Sequence, residues 1–415
     1  MNVYFILVIA IIIGEYVLEC IVEYANLRAL NKELPKEFEG YYDAARYRKS
    51  QEYVHENTVF GIVYNTFFTA ATIVFIVAGG FNAVDHAVRD LVRGDLARGL
   101  LFAGIIMLTL HVARIPFSAY QTFVLEAKYG FNKTTVKTFF TDRMKKLVLG
   151  ALIGGILFTA ILACFTKLGR YAWLYCWAAV TVFEFFLLFI GPAVIMPLFN
   201  KFSPLEDGPL KEAITRYAAR ERFALQGIFT MDGSRRSTKS NAFFTGFGRY
   251  RRVALFDTLI ARHTVEELVS ILAHEIGHYK KRHIAKHFLF SICTTGMMFF
   301  ILSFFVNNNA LCAAFSMKHA SLYATLFFFA LLYAPIAMLF STLHNFFSRK
   351  HEYEADRYAA HSYGNPGAFI DALKKLSVHN LSNLTPHPLK VFLHYSHPPV
   401  LQRILALKAC NPTAR

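Results

Sequence analysis

Seven stretches of this chain are apolar over lengths that a water-soluble fold has no room to bury one by one. They cover residues 3–21, 60–78, 99–117, 147–165, 171–195, 288–306 and 322–343. An α-helix needs about 20 apolar residues to cross the hydrocarbon of a bilayer. In lipid every backbone N–H and C=O must be satisfied within the segment, which makes these runs helices. The 415-residue chain is 55% hydrophobic and 17% charged, against about 25% charge in soluble proteins. It therefore reads as a multi-pass membrane protein and not as two or three soluble domains. The N-terminus lacks a basic n-region and a small-residue cleavage site, so the first run is expected to be a retained helix and not a signal peptide.

Charge in the connections gives a topology. Arg28, Lys32, Lys36, Arg46, Arg48 and Lys49 follow the first run, and Lys128, Lys133, Lys137, Arg143, Lys145 and Lys146 follow the third. The segment after the fifth run and the C-terminal tail are also basic, whereas the alternate loops are sparse. By the positive-inside rule the N-terminus is outside, and the two large polar segments share the cytoplasmic side. The expected organisation is residues 1–196 as spans 1–5, 197–285 as the first polar part, 286–345 as a membrane hairpin of spans 6 and 7, and 346–415 as the second polar part. The same loop bias accounts for the net charge of +16. No zinc-knuckle, RRM or basic-helix pattern accompanies it, so nucleic acid is not an expected partner.

Some polar groups lie at membrane depth. Glu15, Glu19 and Glu23 stand at i, i+4 and i+8 on one face of the first helix, which cannot face lipid. That face belongs in a bundle interior, a wet cavity or the headgroups. His111, Arg114 and Glu184 are expected to pair within the bundle or to line a water-filled chamber. The six cysteines form no C-x-x-C and no disulfide framework, and read as inert buried thiols.

Between the fifth and sixth runs stands His274-Glu275-Ile276-Gly277-His278, an H-E-x-x-H string. Thr264 and Glu267 upstream form a capping box ahead of apolar residues at helical spacing. On a helix, His274 and His278 share one face a turn apart and can bind one metal ion, for which zinc is suited. Glu275 between them can address a water at that metal. The metzincin pattern requires Gly and His where this chain has Lys281 and Ile284, and is excluded. Residues 209–222 read as a helix, 227–231 as a strand, and 241–244 with 253–256 as a hairpin joined through 246–252. A sheet beside the metal helix offers an edge to which an extended peptide can add. The motif helix is expected to run on through Lys280-Lys281-Arg282-His283 into span 6, with His283 and His287 at the membrane interface.

Spans 6 and 7 return the chain to the same side at Ser348-Arg349-Lys350-His351-Glu352-Tyr353-Glu354-Ala355-Asp356. A two-histidine zinc site needs a third protein ligand and leaves a fourth position open. Spacing alone does not separate Glu352 from Glu354. Asp356, one turn beyond Glu352, can accept a hydrogen bond from the far nitrogen of a liganding imidazole. Glu354 points to another face and is expected to be solvated. In the tail, the proline after His397 imposes an extended backbone, and His394-Tyr395-Ser396-His397-Pro398-Pro399 by itself reads as a loop.

Taken together these strings resemble the type 1 CAAX prenyl proteases, seven-span integral-membrane gluzincin metalloproteases. The matching residues are Glu126 with Phe131-Asn132-Lys133, Pro197 through Phe202, Met231-Asp232-Gly233-Ser234, Ser240-Asn241-Ala242, Leu255 through Leu259, the His274–His278 motif, Ser348-Arg349 through Asp356, and Ser396-His397-Pro398. They run in order over nearly the whole chain. The resemblance implies a mainly α fold: a seven-span transmembrane helical barrel around a hydrated chamber, with an embedded α+β zincin-type metalloprotease domain on the cytoplasmic side. It implies one Zn²⁺ per chain held by His274, His278 and Glu352, Glu275 as general base, Asp356 behind a ligand, His397 and Arg403 as transition-state and active-site support, and Asn241 on the strand that holds the substrate backbone. Members of the family remove the tail after a prenylated cysteine in C-terminal CaaX sequences. Peptide or protein substrates, membrane lipids and a monomeric state are the expected partners. The chain ends Asn411-Pro412-Thr413-Ala414-Arg415 where eukaryotic members often carry a dilysine signal. The expected location is accordingly the endoplasmic reticulum or a bacterial inner membrane. The rival readings are an HtpX-like quality-control protease, a zinc-bound chaperone or translocon-clearing factor, and a seven-span transporter or channel with a structural zinc.

Overall fold

The computed structural model describes residues 2–31, 33–245, 252–306 and 308–410. Lys32, most of the 246–252 connection and residues 411–415 lie outside the described residues. Helix α1 (Val3–Arg28) is followed by α2 (Ala44–Val77), a short amphipathic α3 (Gly80–Leu91) and α4 (Asp95–Ala113). Pro116 sits in the first turn of α5 (Ile115–Tyr120), which continues as a wide-turn segment Gln121–Glu126. Helix α6 (Val136–Lys167) and α7 (Ala172–Ile190) come next. The chain then leaves the membrane through Gly191–Ile195 and α8 (Met196–Phe199), where Pro192 and Pro197 stand in the first turns.

The polar end begins with β1 (Phe202–Pro204), α9 (Pro209–Arg220), β2 (Gly227–Met231), β3 (Ala242–Thr245) and β4 (Arg252–Phe256). The sheet order is β1-β2-β4-β3; β3 and β4 pair antiparallel, while β2 pairs parallel to β4. The expected hairpin is present, and β3 is at an edge. Strand β1, three residues long, pairs antiparallel with β2. Then follow α10 (Asp257–Ile260), α11 (Val265–Lys280), α12 (His283–Ser303), α13 (Asn309–Ala314), α14 (Leu322–Tyr363), α15 (Pro366–Asn380), α16 (Pro388–His394) and α17 (Val400–Cys410).

The long helices close a ring. Contacts run from α1 to α2, through α3 to α4, on to α6, α7, α12 and α14, and from α14 back to α1. At most 11% of the apolar window of any of the seven candidate spans is buried within the chain. A helix in a solid bundle would bury a stripe of roughly a quarter or more of its circumference. The seven helices therefore form a wall and not a filled bundle. One end of the ring is plugged by α3 and α13: Phe315 stacks on Phe328 at 3.7 Å, and Phe81 and Phe102 join them. Buried Asp85 accepts from Arg89 Nε at 2.7 Å and from the Tyr323 hydroxyl. Within the wall, Glu184 of α7 pairs with α12, accepting from Ser291 Oγ at 3.0 Å and Thr295 Oγ1 at 3.3 Å.

The other end carries the sheet and its core, in which Leu255, Leu259, Leu268, Leu272 and Ile276 are fully buried. Phe38 and Tyr42, between α1 and α2, join this core, so the first polar connection is part of it. The acidic face of α1 docks there: Glu23 pairs with Lys390, and Glu19 lies 3.1 Å from His394 Nε2.

One feature extends the expectation and one departs from it. Helix α14 does not end with span 7 but continues unbroken through Tyr363, so Glu352 and the membrane span share one helix. The motif helix, in contrast, does not continue into span 6. It stops at Lys280, Arg282 adopts a left-handed conformation (φ 57°), and α12 starts afresh at His283. A non-glycine residue there costs about 1–2 kcal/mol. Hydrogen bonds from Lys281 N to Gly277 O and from Arg282 N to Tyr279 O complete the turn.

Helices α11 and α14 pack closely at Gly277, where a Cβ would lie 3.1 Å from both Cα and O of Ala355. The neighbour is backbone and has little room to yield. Gly277→Val is expected to force the helices apart, destabilise the chain by about 1–3 kcal/mol and weaken metal binding. Thermal unfolding and metal content read both effects, and an unchanged pair would refute the close approach.

Candidate metal centre

The capping box starts α11 as its sequence predicts: Thr264 Oγ1 accepts from Glu267 N at 3.3 Å, and Glu267 Oε2 accepts from Thr264 N at 3.2 Å. Lys375 Nζ lies 2.6 Å from the Glu267 carboxylate and ties this end to α15. Two turns on, His274 and His278 face α14. Their Nε2 atoms are 3.1 Å apart. Glu352 brings Oε2 to 3.4 Å from His274 Nε2 and Oε1 to 3.2 Å from His278 Nε2.

These separations can be compared with what an ion would need. Zinc held tetrahedrally at about 2.0–2.1 Å from each ligand sets neighbouring ligands about 3.3 Å apart. The three pairs fall close to that edge length, and His274, His278 and Glu352 form a group with the spacing to hold a metal. Among the described residues Glu352 Oε2 is buried and accepts no hydrogen bond, although His274 and Arg403 stand at 3.4 and 3.5 Å. A buried carboxylate oxygen without a donor is costly, and a cation between the three groups removes that cost. The residues fit the metal.

The groups behind the ligands are equally defined. His274 Nδ1 is 2.8 Å from Asp356 Oδ1. Asp356 is in turn gripped by Arg403, whose Nε and Nη2 donate to its two oxygens at 2.8 and 2.6 Å. Burial works against a charged His274, but the carboxylates of Asp356 and Glu352 beside it outweigh burial and raise it to about 9. The ring thus sits where a positive charge is strongly favoured. Burial also opposes the Arg403 charge, yet Asp356, Glu352 and Glu275 around it raise its pKa further.

His397 reaches the same place from the tail, with Nε2 3.3 Å from Glu352 Oε1 and Nδ1 2.9 Å from Ser396 Oγ. Its approach is set by α16. Arg349 of α14 donates to the carbonyls of Val391 (2.9 Å) and Tyr395 (2.5 Å), and Asn345 Nδ2 donates to Leu393 O at 2.8 Å. Glu19 and Glu23 hold the same helix from α1. Sequence reasoning found Arg349 only as part of a family string; its work is to fasten the segment that ends at His397.

Asn241 opens the edge strand. The residues before it are clamped: Ser240 N and O bond the Asn380 amide at 3.1 Å each, and Lys239 Nζ lies 2.9 Å from Glu126 and 2.6 Å from the Tyr53 hydroxyl. Asn241, His274, Glu275, His278, Glu352, His397 and Arg403 line one cavity of about 480 Å³. Asp356 stands behind it.

Two residues are placed differently from expectation. His283 is 1% exposed rather than interfacial, and its Nδ1 lies 3.0 Å from His278 Nδ1. Glu354 is not simply solvated, since its Oε2 is 3.1 Å from His283 Nε2. No local spacing rule connects residues 71 positions apart through a break in a helix.

Comparison with known proteins agrees with this geometry. Residues 23–201 match the family described as CAAX prenyl protease N-terminal, five membrane helices, and residues 204–411 match peptidase family M48. CAAX prenyl protease 1 of Saccharomyces cerevisiae is 33% identical over 95% of this chain and 93% of its own. The CAAX prenyl protease 1 homolog of Arabidopsis thaliana is 32% identical over 96% of each. The crystal structure of S. mikatae Ste24p superposes with a TM-score of 0.93 at 33% identity, over 98% of this chain and 99% of that one. With the membrane ring, the H-E-x-x-H helix and the third acidic group in place, the chain belongs to peptidase family M48, among the integral-membrane metalloendopeptidases of the CAAX prenyl protease 1 kind.

Proposed function

We propose that this chain is a zinc endopeptidase that trims C-terminal CaaX tails after a prenylated cysteine, with its catalytic end on the cytoplasmic side and its N-terminus outside. One observation carries the reading: residues from four separate chain segments converge on one cavity beside an edge strand. His274, His278 and Glu352 would hold one zinc. When bound, zinc supplies a Lewis acid that polarises the scissile carbonyl and acidifies a water. Glu275 takes the proton of the attacking water and passes it to the leaving amine. His397 donates to the developing oxyanion of the substrate. Asp356 holds the His274 ring through Nδ1, and Arg403 keeps Asp356 ionised and in place. Asn241 helps hold an extended peptide against β3, where main-chain pairing demands little of the peptide's sequence. The membrane hairpin between Glu275 and Glu352 ties the reaction to substrates that arrive at the bilayer.

The test is cleavage of farnesylated and unmodified CaaX peptides by the detergent-purified chain, with and without a chelator. Farnesylated peptide is expected to be cut between the cysteine and the next residue, faster than the unmodified one, with loss of activity on chelation and recovery with zinc. Equal rates for both peptides would overturn the prenyl preference. Cleavage that survives complete metal removal would overturn the metallopeptidase mechanism.

A further inference from the structure

The two histidines of the motif are held from behind by different devices. His274 donates from Nδ1 straight to a carboxylate, Asp356. The Nδ1 of His278 meets another imidazole, His283, at 3.0 Å, and the far nitrogen of His283 meets Glu354 Oε2 at 3.1 Å. We propose that His283 and Glu354 form a two-step support that fixes the orientation and tautomer of His278, and that they are positioning residues for the metal. This rests on the metal reading above and extends it to the second histidine.

The proton arrangement follows from the geometry. His278 presents Nε2 toward Glu352 and His274, so Nε2 keeps its lone pair for the metal and the proton sits on Nδ1. That proton is donated to His283 Nδ1, which must then be unprotonated. The His283 proton is on Nε2 and is donated to Glu354. With both rings neutral, only one combination of tautomers satisfies both contacts, and it is the one that leaves His278 ready to ligate.

The chain goes to some length to make these contacts. His283 is the first residue of α12 and lies beside His278 only because Arg282 takes the left-handed conformation and breaks the helix. A continuous helix would carry His283, five residues on, to a different face. The His283 ring is then held flat against His351, with centroids 4.1 Å apart and planes inclined by 14°. Glu354 is steadied by Lys286 Nζ at 4.0 Å. Glu352, Glu354 and Asp356 all come from α14, so one stretch of one helix supplies the acidic ligand and the carboxylate behind each histidine.

The experiment measures zinc affinity by chelator competition on the full detergent-solubilised chain and records the visible spectrum of the cobalt-substituted protein. His283→Leu removes the acceptor and is expected to weaken zinc binding by about 10–100-fold and to shift the cobalt bands. His283→Asn places an amide oxygen near the former Nδ1 and is expected to restore most of the affinity. In the same way Glu354→Leu should weaken binding, and Glu354→Gln, which can still accept, should not. Wild-type affinity and spectrum in both leucine variants would overturn the proposal, as would equal loss in His283→Leu and His283→Asn when both remain folded by circular dichroism. Should His283→Leu fail to fold, the Glu354 pair decides alone. A wild-type chain that takes up no zinc at all would instead overturn the metal reading on which the proposal rests.

Discussion

Glu275→Gln is expected to take up zinc as the parent chain does and to cleave peptide about 10²–10⁴-fold more slowly, the range that general acid–base catalysis contributes. The substitution keeps shape and removes basicity. Glu275 is not among the three groups spaced to hold the metal, and the proposed ligands His274, His278 and Glu352 keep their mutual contacts without it. It lines the same cavity, close enough for its charge to act on Arg403. A neutral amide there can neither accept the water's proton nor return it to the leaving amine. Metal stoichiometry and single-turnover rate measured on one preparation separate the two effects. Turnover within a few-fold of the parent would remove Glu275 from the proton pathway, and loss of zinc would mean that it helps to hold the ion.

Arg403→Met should have the largest effect on stability. The Arg403 side chain is 12% exposed and the Asp356 side chain 3%, and two hydrogen bonds join them fork to fork. Removing one partner of a buried, paired charge costs about 3–5 kcal/mol, a large share of a net stability on the order of 5–15 kcal/mol. With an unfolding entropy of roughly 2 cal/mol/K per residue, that corresponds to a melting point lower by about 4–6 °C. Zinc affinity should fall as well, since Asp356 would be left without the partner that aims it at His274 Nδ1. Arg403→Lys is expected to rescue little, because a single ammonium cannot reproduce the planar fork. Adding Asp356→Asn to Arg403→Met should recover part of the stability by deleting the stranded charge, but not the metal affinity. A melting point unchanged in Arg403→Met would show that the pair contributes little to the fold.

Much of this arrangement was legible in the chain. Long apolar runs are a direct consequence of backbone satisfaction in lipid, and each of the seven expected spans corresponds to a helix. The capping box, the H-E-x-x-H spacing and the short apolar run at 253–256 are local signals, and local signals survive in a single sequence. Glu352 stood out from Glu354 only by family resemblance. What escaped was non-local or locally disfavoured. Arg282 is a poor residue for a left-handed turn, so a polar stretch read as continuous helix turned out to be broken. The error carried His283 to the membrane surface and left Glu354 without a partner. Strand β1 is too short for periodicity to detect, and α3 is amphipathic but bounded by Gly79 and Gly94 outside any span. Glu23 and Glu19 on the acidic face of α1 have their partners, Lys390 and His394, more than 350 residues away, beyond any local rule.

The unbroken length of α14 has a consequence of its own. From Leu322 to Glu352 the helix rises about 45 Å at 1.5 Å per residue, whereas the hydrocarbon of a bilayer is about 30 Å thick. The helix works as a ruler. It is anchored at the plugged end by Tyr323 and, with Pro335 inside it, runs as one helix to Glu352, so the height of the proposed cutting point above the hydrocarbon is set by one element. With the helix upright that height is about 15 Å, and tilt shortens it. An extended peptide covers such a distance in four or five residues at about 3.3 Å each. In the proposed cleavage no residue stands between the lipidated cysteine and the cut bond, so the prenyl group has to leave the hydrocarbon and rise with the peptide into the ring.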